Sequence, residues 1–266
     1  MDHVDISVII PTYHREEQLL EAIGSVLPQR DVALEIIVVD DSAEGSARTA
    51  VASVGDPRVQ YIQRPEPSGG LPALARNDGA KLARGRYLYF LDDDDMLESD
   101  TLAVMSRALD AAPAAGMAFG AVEPFGNDAA ELRKNQEYFS EARRIARRLR
   151  SARELSARLM FQTSMLVNSA CMARRTAFFL VGGYDSDIPV CEDADLYGRI
   201  AHATDYVYID RPVVRYRTGA SSLMHDLAKE DEKLHLSYRR IHGKYRLAQG
   251  TFRFLALKIW ARTILR

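Results

Sequence analysis

Cysteine is almost missing from this chain of 266 residues: Cys171 and Cys191 stand far apart, in no metal-ligand spacing. That excludes a disulfide framework and the usual zinc sites, and suits two reduced thiols in a cytosolic protein. Long apolar runs are missing too. No window approaches the ~20 apolar residues of a spanning helix, so any membrane contact is expected to be peripheral. The first seven residues include acidic but no basic side chains ahead of the apolar run 6–10, which is not the pattern of a secretory signal. There is no internal repeat and no low-complexity segment. Net charge is also nearly absent, at -2.

What is present is an ordinary globular composition, 47% hydrophobic and 27% charged, long enough for one large domain or two fused lobes. The small net charge hides a division. Residues 1–130 hold 10 basic and 22 acidic side chains, and residues 131–266 hold 25 and 15. Such a split points to a metal or phosphate site in the first half and an anionic partner for the second.

The first half alternates strand and helix patterns: strand 6–10, helix 16–27, strand 34–39, helix 46–54, strand 59–63. This predicts a parallel sheet with helices on its faces. The first strand runs into Pro11-Thr12-Tyr13-His14-Arg15 and the second into Asp40-Asp41-Ser42. Strand ends of this kind lie side by side along one sheet edge and make a ligand crevice. The loop 64–70, rich in Pro and Gly, ends the third strand. A helix follows from about Leu71, with Pro72 in its first turn, and Gly85 stops it.

The apolar strand 86–91 then delivers Asp92-Asp93-Asp94-Asp95, four adjacent carboxylates at its carboxyl end. A hard divalent ion shared with substrate phosphates makes that charge density tolerable. A solvated acidic turn opening a helix is the alternative. A helix over 100–111 follows.

Beyond it the pattern predicts a strand at 117–122 and a helix over 137–160 crowded with arginines. Those arginines read either as a solvated face or as an anion-binding surface. A strand at 163–173, a short helix at 174–181 and the turn Gly182-Gly183-Tyr184-Asp185 come next. Glu192-Asp193-Ala194-Asp195 opens another helix, and two strands at 206–209 and 213–217 end the alternation. From Lys233 there are nine basic residues and no acidic one. Phe252, Phe254, Leu255, Ile259, Ile264 and Leu265 share much of a final helix, with Lys258, Arg262 and Arg266 on another face. That pattern suits either packing against the body or an anionic membrane surface.

Six ordered motifs, Ser7-Val8-Ile9-Ile10-Pro11-Thr12-Tyr13, Ile37-Val38-Val39-Asp40-Asp41-Ser42, Ala75-Arg76-Asn77, the run from Gly85 to Asp95, Gly182-Gly183-Tyr184-Asp185 and Glu192-Asp193-Ala194-Asp195-Leu196, resemble the family 2 glycosyltransferases over about residues 5–220. The resemblance implies an α/β GT-A fold with a mostly parallel central sheet. A catalytic domain would occupy 1–220, with a nucleotide-binding half at 1–95 and an acceptor-binding half at 96–220. A basic helical extension would follow at 221–266. It also implies a metal-dependent, inverting transferase that moves a sugar from a nucleotide diphosphate, by analogy UDP, to an acceptor hydroxyl. The basic and apolar final helix adds the expectation that the acceptor is a lipid-linked or cell-surface glycan precursor at the inner membrane face.

On this resemblance Pro11, Thr12, Tyr13 and Arg15 would lie at the base, ribose or nucleotide. Asp41 would accept from a uracil-like imide while Asp40 braces the loop, and Arg76 and Asn77 would approach the ribose or diphosphate. Asp92 or Asp93 would reach the ribose or the metal's water shell, Asp94 would hold Mn²⁺ or Mg²⁺, and Asp193 would be the general base. Glu192 is the rival base, and Asp195 with Arg199 would fix the helix. The histidine that many relatives carry after the final tyrosine-arginine is absent after Tyr216-Arg217, and His225 is the substitute on offer. Two other readings are an aspartyl-nucleophile phosphotransferase and nucleic-acid binding by the basic stretches 133–158 and 233–266. Met96 stands where the first expects Thr or Val, and the second leaves the ordered acidic motifs unexplained.

Overall fold

The computed structural model describes residues 3–161, 165–219 and 231–264. It opens with β1 (Ile6–Thr12), α1 (Glu16–Val26), β2 (Leu34–Asp40), α2 (Arg48–Val54), β3 (Val59–Gln63), α3 (Pro72–Leu82) and β4 (Tyr87–Phe90). β1, β2 and β4 are buried along their whole length, which is why each reads as an unbroken apolar run rather than an alternation. They pair in parallel, so Thr12, Asp40 and the acidic loop after Phe90 arrive together at one sheet edge.

The chain continues through β5 (Met96–Leu97), α4 (Thr101–Ala111), β6 (Ala115–Phe125), α5 (Ala129–Ala146), α6 (Ala152–Phe161), β7 (Cys171–Arg174), α7 (Arg175–Leu180), α8 (Glu192–Ala203) and β8 (Asp205–Arg217). It ends with α9 (Asp231–Gln249) and α10 (Thr251–Ile264). One eight-stranded sheet results, in the order β3-β2-β1-β4-β7-β6-β8-β5. β7 and β5 run antiparallel to their neighbours and the other pairings are parallel, as expected of a mostly parallel α/β sheet. Alternate residues feed two cores. Ile9, Ile37, Val39, Leu88 and Phe90 face one side; Val8, Ile10, Val38, Tyr89 and Leu91 face the other. α3 lies so close to β1 that a Cβ on Gly79 would come within 2.5 Å of Ile9.

Several elements differ from the sequence expectation. The helix expected over 137–160 is two helices. Asp128 caps α5 by accepting from the Ala130 and Glu131 N–H groups, and Ser151 accepts from Glu154 N just before α6. Much of the arginine run is paired internally, Arg143 and Arg147 with Asp210, Arg144 with Glu141 and Arg158 with Glu154. Of the strand expected at 163–173, residues 163 and 164 lie outside the described residues, and among 165–173 only the stretch from Cys171 is strand; Asn168 and Ser169 turn their side chains toward the loop after β4 instead of continuing a ladder. Strands 206–209 and 213–217 are a single strand, β8. Its register against β6 jumps between Ile209 and Pro212, where proline has no N–H to donate and the strand bulges instead of ending.

α9 and α10 pack on α6 through Ala157, Met160, Ile241, Tyr245, Phe254, Leu257 and Ala261. Phe254 therefore belongs to the packed side of α10, not to an outward apolar face. His225 lies outside the described residues. Among the described residues no helix is long and apolar enough to cross a membrane.

Candidate functional site

The acidic loop is fixed from three directions. The Asp92 N–H donates to Ser169 Oγ at 3.0 Å, and its Oδ1 receives Arg76 Nη2 at 2.6 Å and Asn168 Nδ2 at 3.3 Å. Thr12 Oγ1, at the end of β1, donates to Asp93 Oδ2 at 2.8 Å. Arg15 Nη1 reaches both Asp93 Oδ1 at 3.2 Å and Asp94 Oδ2 at 2.8 Å. Asp95 is buried and accepts from the Arg217 N–H at 3.0 Å, while its second oxygen has no hydrogen-bond partner. Asp95 thus ties the loop to the end of β8, while Asp92 is held by Arg76 and Asp93 and Asp94 by Arg15.

Even with Arg15 and Arg76 present, negative charge is under-compensated. Burial, and then the neighbouring Asp94 charge, push the Asp93 carboxyl up to about 7. Burial and Asp92 also raise Asp94. Groups held above their ordinary range by burial and then by neighbouring carboxylates are groups that a cation would return to the charged form. The donor set is all oxygen, which fits a hard ion. Among the described residues, however, no three Asp, Glu, His or Cys side chains are arranged to enclose a metal. The loop fits an ion that takes its remaining ligands from a substrate diphosphate, not one caged by protein alone.

The adjoining crevice is built by β1 and β2. Asp40 braces its turn, accepting from the N–H groups of Ser42 and Ala47 and from the Tyr61 hydroxyl, all at 2.9 Å. Asp41 is occupied by loop 64–70: it accepts from Arg64 Nη1 at 2.5 Å, Ser68 N at 2.9 Å, Ser68 Oγ at 2.5 Å and Gly70 N at 2.6 Å. Burial alone would raise its pKa, but these donors outweigh burial and hold it below the ordinary carboxylate range. The exposed Tyr13 ring rests on Gly70, where a Cβ would lie 3.2 Å from the ring and φ is +93°, so glycine meets both demands. Pro11 is buried in β1 opposite Val39. Pro11, Thr12, Tyr13, Asp40 and Asp41 lie together at the adjacent ends of β1 and β2, with Asp41 anchoring loop 64–70.

The opposite wall is the start of α8. Arg76, on α3, spans the cleft floor, with Nη1 at 2.7 Å from Glu192 Oε1 and its guanidinium 5.3 Å from the centre of the Tyr184 ring. Asn77 spends its amide on the Tyr184 main chain, at 2.9 and 3.0 Å, so it braces the 182–185 turn. Asp193 follows at the first turn of α8, half-buried, with one oxygen accepting from Ala194 N at 2.7 Å. Burial, and then the Glu192 charge, push it up to about 7. Asp195 is paired with Arg199 at 2.6 Å and fixes the helix.

Sequence reasoning missed the part that α9 plays. Ser237 Oγ accepts from Val190 N at 3.2 Å. Arg240 Nε and Lys244 Nζ reach Asp185 at 3.0 and 2.8 Å, and Lys244 also reaches the fully buried Asp195 at 3.1 Å. The segment from Asp185 to Asp195, which includes Asp193, is held by this helix. A one-turn spacing of Arg240 and Lys244 was visible in the sequence, but nothing there named Asp185 as their common partner.

Comparison with known proteins accords with this geometry. The sequence model described as glycosyl transferase family 2 matches residues 7–179, more than half of the chain. Succinoglycan biosynthesis protein ExoO of Rhizobium meliloti (strain 1021) is 37% identical over 110 residues, 41% of this chain and 31% of that protein. The UDP-Glc:alpha-D-GlcNAc-diphosphoundecaprenol beta-1,3-glucosyltransferase WfgD of Escherichia coli is 35% identical over 96 residues, 36% of this chain and 37% of that protein. The chain thus spans about a third of the length of these relatives. Among solved structures, Staphylococcus aureus TarS 1-349 superposes with a TM-score of 0.65 at 17% identity, covering 98% of this chain and 73% of that one. The mannosyltransferase PcManGT from Pyrobaculum calidifontis, in complex with GDP-Man and Mn²⁺, gives a TM-score of 0.65 at 18% identity over 96% of this chain and 73% of that one. The sheet carrying the acidic loop has the GT-A fold of these structures, and the chain belongs to glycosyl transferase family 2.

Proposed function

We propose that the chain is an inverting glycosyltransferase that takes a sugar from a nucleotide diphosphate to a hydroxyl of a glycan or lipid-linked acceptor. The observation that supports this is the chain of ion pairs from Asp92 through Arg76 to Glu192, which joins the acidic loop to the residue preceding Asp193. The nucleotide lies against Pro11, Thr12 and Tyr13, with Asp41 and loop 64–70 forming its outer wall and Arg15 nearby. Asp94 would hold Mn²⁺ or Mg²⁺, and Asp92 or Asp93 would reach its water shell or the ribose. When bound, the ion supplies charge neutralisation for the departing diphosphate.

Asp193 takes the proton of the acceptor hydroxyl as that oxygen bonds to the anomeric carbon. The bond from that carbon to the diphosphate oxygen breaks on the opposite face, so configuration inverts and the diphosphate leaves with the electron pair. A base with a pKa near 7 is matched to this task. Relatives named for action on diphosphoundecaprenol-linked sugars support a lipid-linked acceptor.

A thermal-shift screen of nucleotide sugars with and without Mn²⁺ tests the reading, since specific binding stabilises the folded state. Stabilisation by one nucleotide sugar, larger with Mn²⁺, is the expected outcome. No stabilisation by any of them would sink it.

A further inference from the structure

α10 is apolar on two sides. Phe254, Leu257 and Ala261 are buried against the body, whereas Phe252, Leu255 and Ile259 are 85%, 48% and 63% exposed. Spacings of three and four residues put these exposed side chains, with Ala256, on one stripe. Leu247, at the end of α9, is 85% exposed and adds to the apolar surface of the hairpin. A helix buried by one stripe has no folding reason to carry a second, and large apolar side chains grouped in the open mark a contact surface.

Charge identifies the occupant. From Lys233 onward the chain has no acidic residue. Arg240 and Lys244 turn inward to Asp185, but Arg246, Arg253 and Arg262 are exposed along the same hairpin. Beside Phe252 a cavity of about 720 Å³ opens between α10 and the end of α8, with Ala152, Ala201, Phe254 and Leu257 in its wall and Arg153 and Arg253 among its lining residues. Asp205 is the carboxylate in that lining.

We infer that the α9–α10 hairpin docks on an anionic phospholipid surface, with Leu247, Phe252, Leu255 and Ile259 entering the headgroup and acyl boundary and Arg246, Arg253 and Arg262 meeting lipid phosphates. Apolar insertion combined with basic side chains is the physical basis of reversible interfacial binding. The same hairpin holds the segment that includes Asp193, so docking brings the proposed active site to the level of a lipid-linked acceptor. This last point rests on the transferase reading; the docking itself does not.

The test is flotation of the full chain with vesicles containing phosphatidylglycerol and with vesicles of phosphatidylcholine alone, without donor or acceptor. Binding to the anionic vesicles only, weakened by salt, is expected. Combined Phe252→Ser, Leu255→Ser and Ile259→Ser should reduce vesicle affinity at least about tenfold, and Arg253→Glu with Arg262→Glu should do likewise, with unchanged melting temperatures. Equal binding by wild type and both variants overturns the proposal. So does a wild-type dimer that the serine variant converts to monomer, which would assign the stripe to a second copy of this chain. Either result leaves the transferase reading intact, because no nucleotide sugar enters the experiment.

Discussion

Arg76 Nη1 lies 2.7 Å from Glu192 Oε1, which places a nearly buried guanidinium from α3 directly beside the residue preceding Asp193. Its other terminal nitrogen holds Asp92, so one side chain joins the acidic loop to the opposite wall of the cleft. Replacing it with Met would leave Asp92 and Glu192 facing each other without a cation. Removing one partner of a buried pair costs about 3–5 kcal/mol, so urea denaturation of Arg76→Met should show a loss of that order. Because Arg76 also lowers the pKa of Asp193, any residual activity should have its acid limb moved to higher pH. A variant of unchanged stability and unchanged profile would separate Arg76 from both roles.

The pH dependence of turnover follows from Asp193. A general base must be deprotonated to act, so kcat/KM, which reports the free enzyme, should rise with pH through about 7. Stability has the opposite sign. The folded-state pKa lies above the ordinary 3.8, so this group's favourable contribution is fully present below about pH 4 and is lost as pH rises through about 7. Asp193→Asn should therefore lose less stability than wild type between about pH 4 and 7 in parallel chemical melts. A kcat/KM flat between about pH 6 and 8 would contradict the base assignment.

Metal dependence should be conditional on nucleotide. Among the described residues the acidic loop offers no enclosed set of three ligands, so Mn²⁺ alone is expected to move the melting temperature little. A nucleoside diphosphate with Mn²⁺ at a hundredfold excess over its Kd should stabilise by about 2.7 kcal/mol. Asp94→Asn should remove the Mn²⁺-dependent part of that shift. Strong stabilisation by Mn²⁺ without nucleotide would mean that the protein cages the ion by itself.

Lys244 should act on turnover at a distance, through Asp185 and Asp195. Lys244→Met is expected to lower kcat about tenfold with donor KM little changed, and to raise amide exchange across residues 184–193. Unchanged exchange there would reduce α9 to a packing element.

Most of the framework was legible in the sequence, because strands buried on both faces leave unbroken apolar runs and their carboxyl ends carry polar residues in a row. Ile6–Thr12, Leu34–Asp40 and Tyr87–Phe90 were found this way to within a residue or two. Elements decided by side-chain contacts were not. Asn168 and Ser169 lie in a stretch of strand-like composition, yet their hydrogen bonds to the loop after β4 stop the strand from forming there. The two strands expected at 206–209 and 213–217 are one strand that bulges at Pro212. At the site, residue types indicated which chemistry was present, but not which groups were already engaged. Asp41 and Asn77 are held by their own chain, and the partners of Arg240 and Lys244 lie some fifty residues away in sequence.

The central claim is that Asp193 deprotonates the acceptor in a sugar transfer for which the donor is bound elsewhere in the cleft. The most direct measurement is single-turnover transfer from the nucleotide sugar that stabilises the chain to a lipid-linked acceptor, run beside donor-binding calorimetry, for wild type and Asp193→Asn. The account predicts an anomerically inverted product, a loss of about 10² to 10⁴-fold in the transfer rate of the variant and an unchanged donor affinity. Transfer by the variant at the wild-type rate, or loss of donor binding in its place, would contradict it.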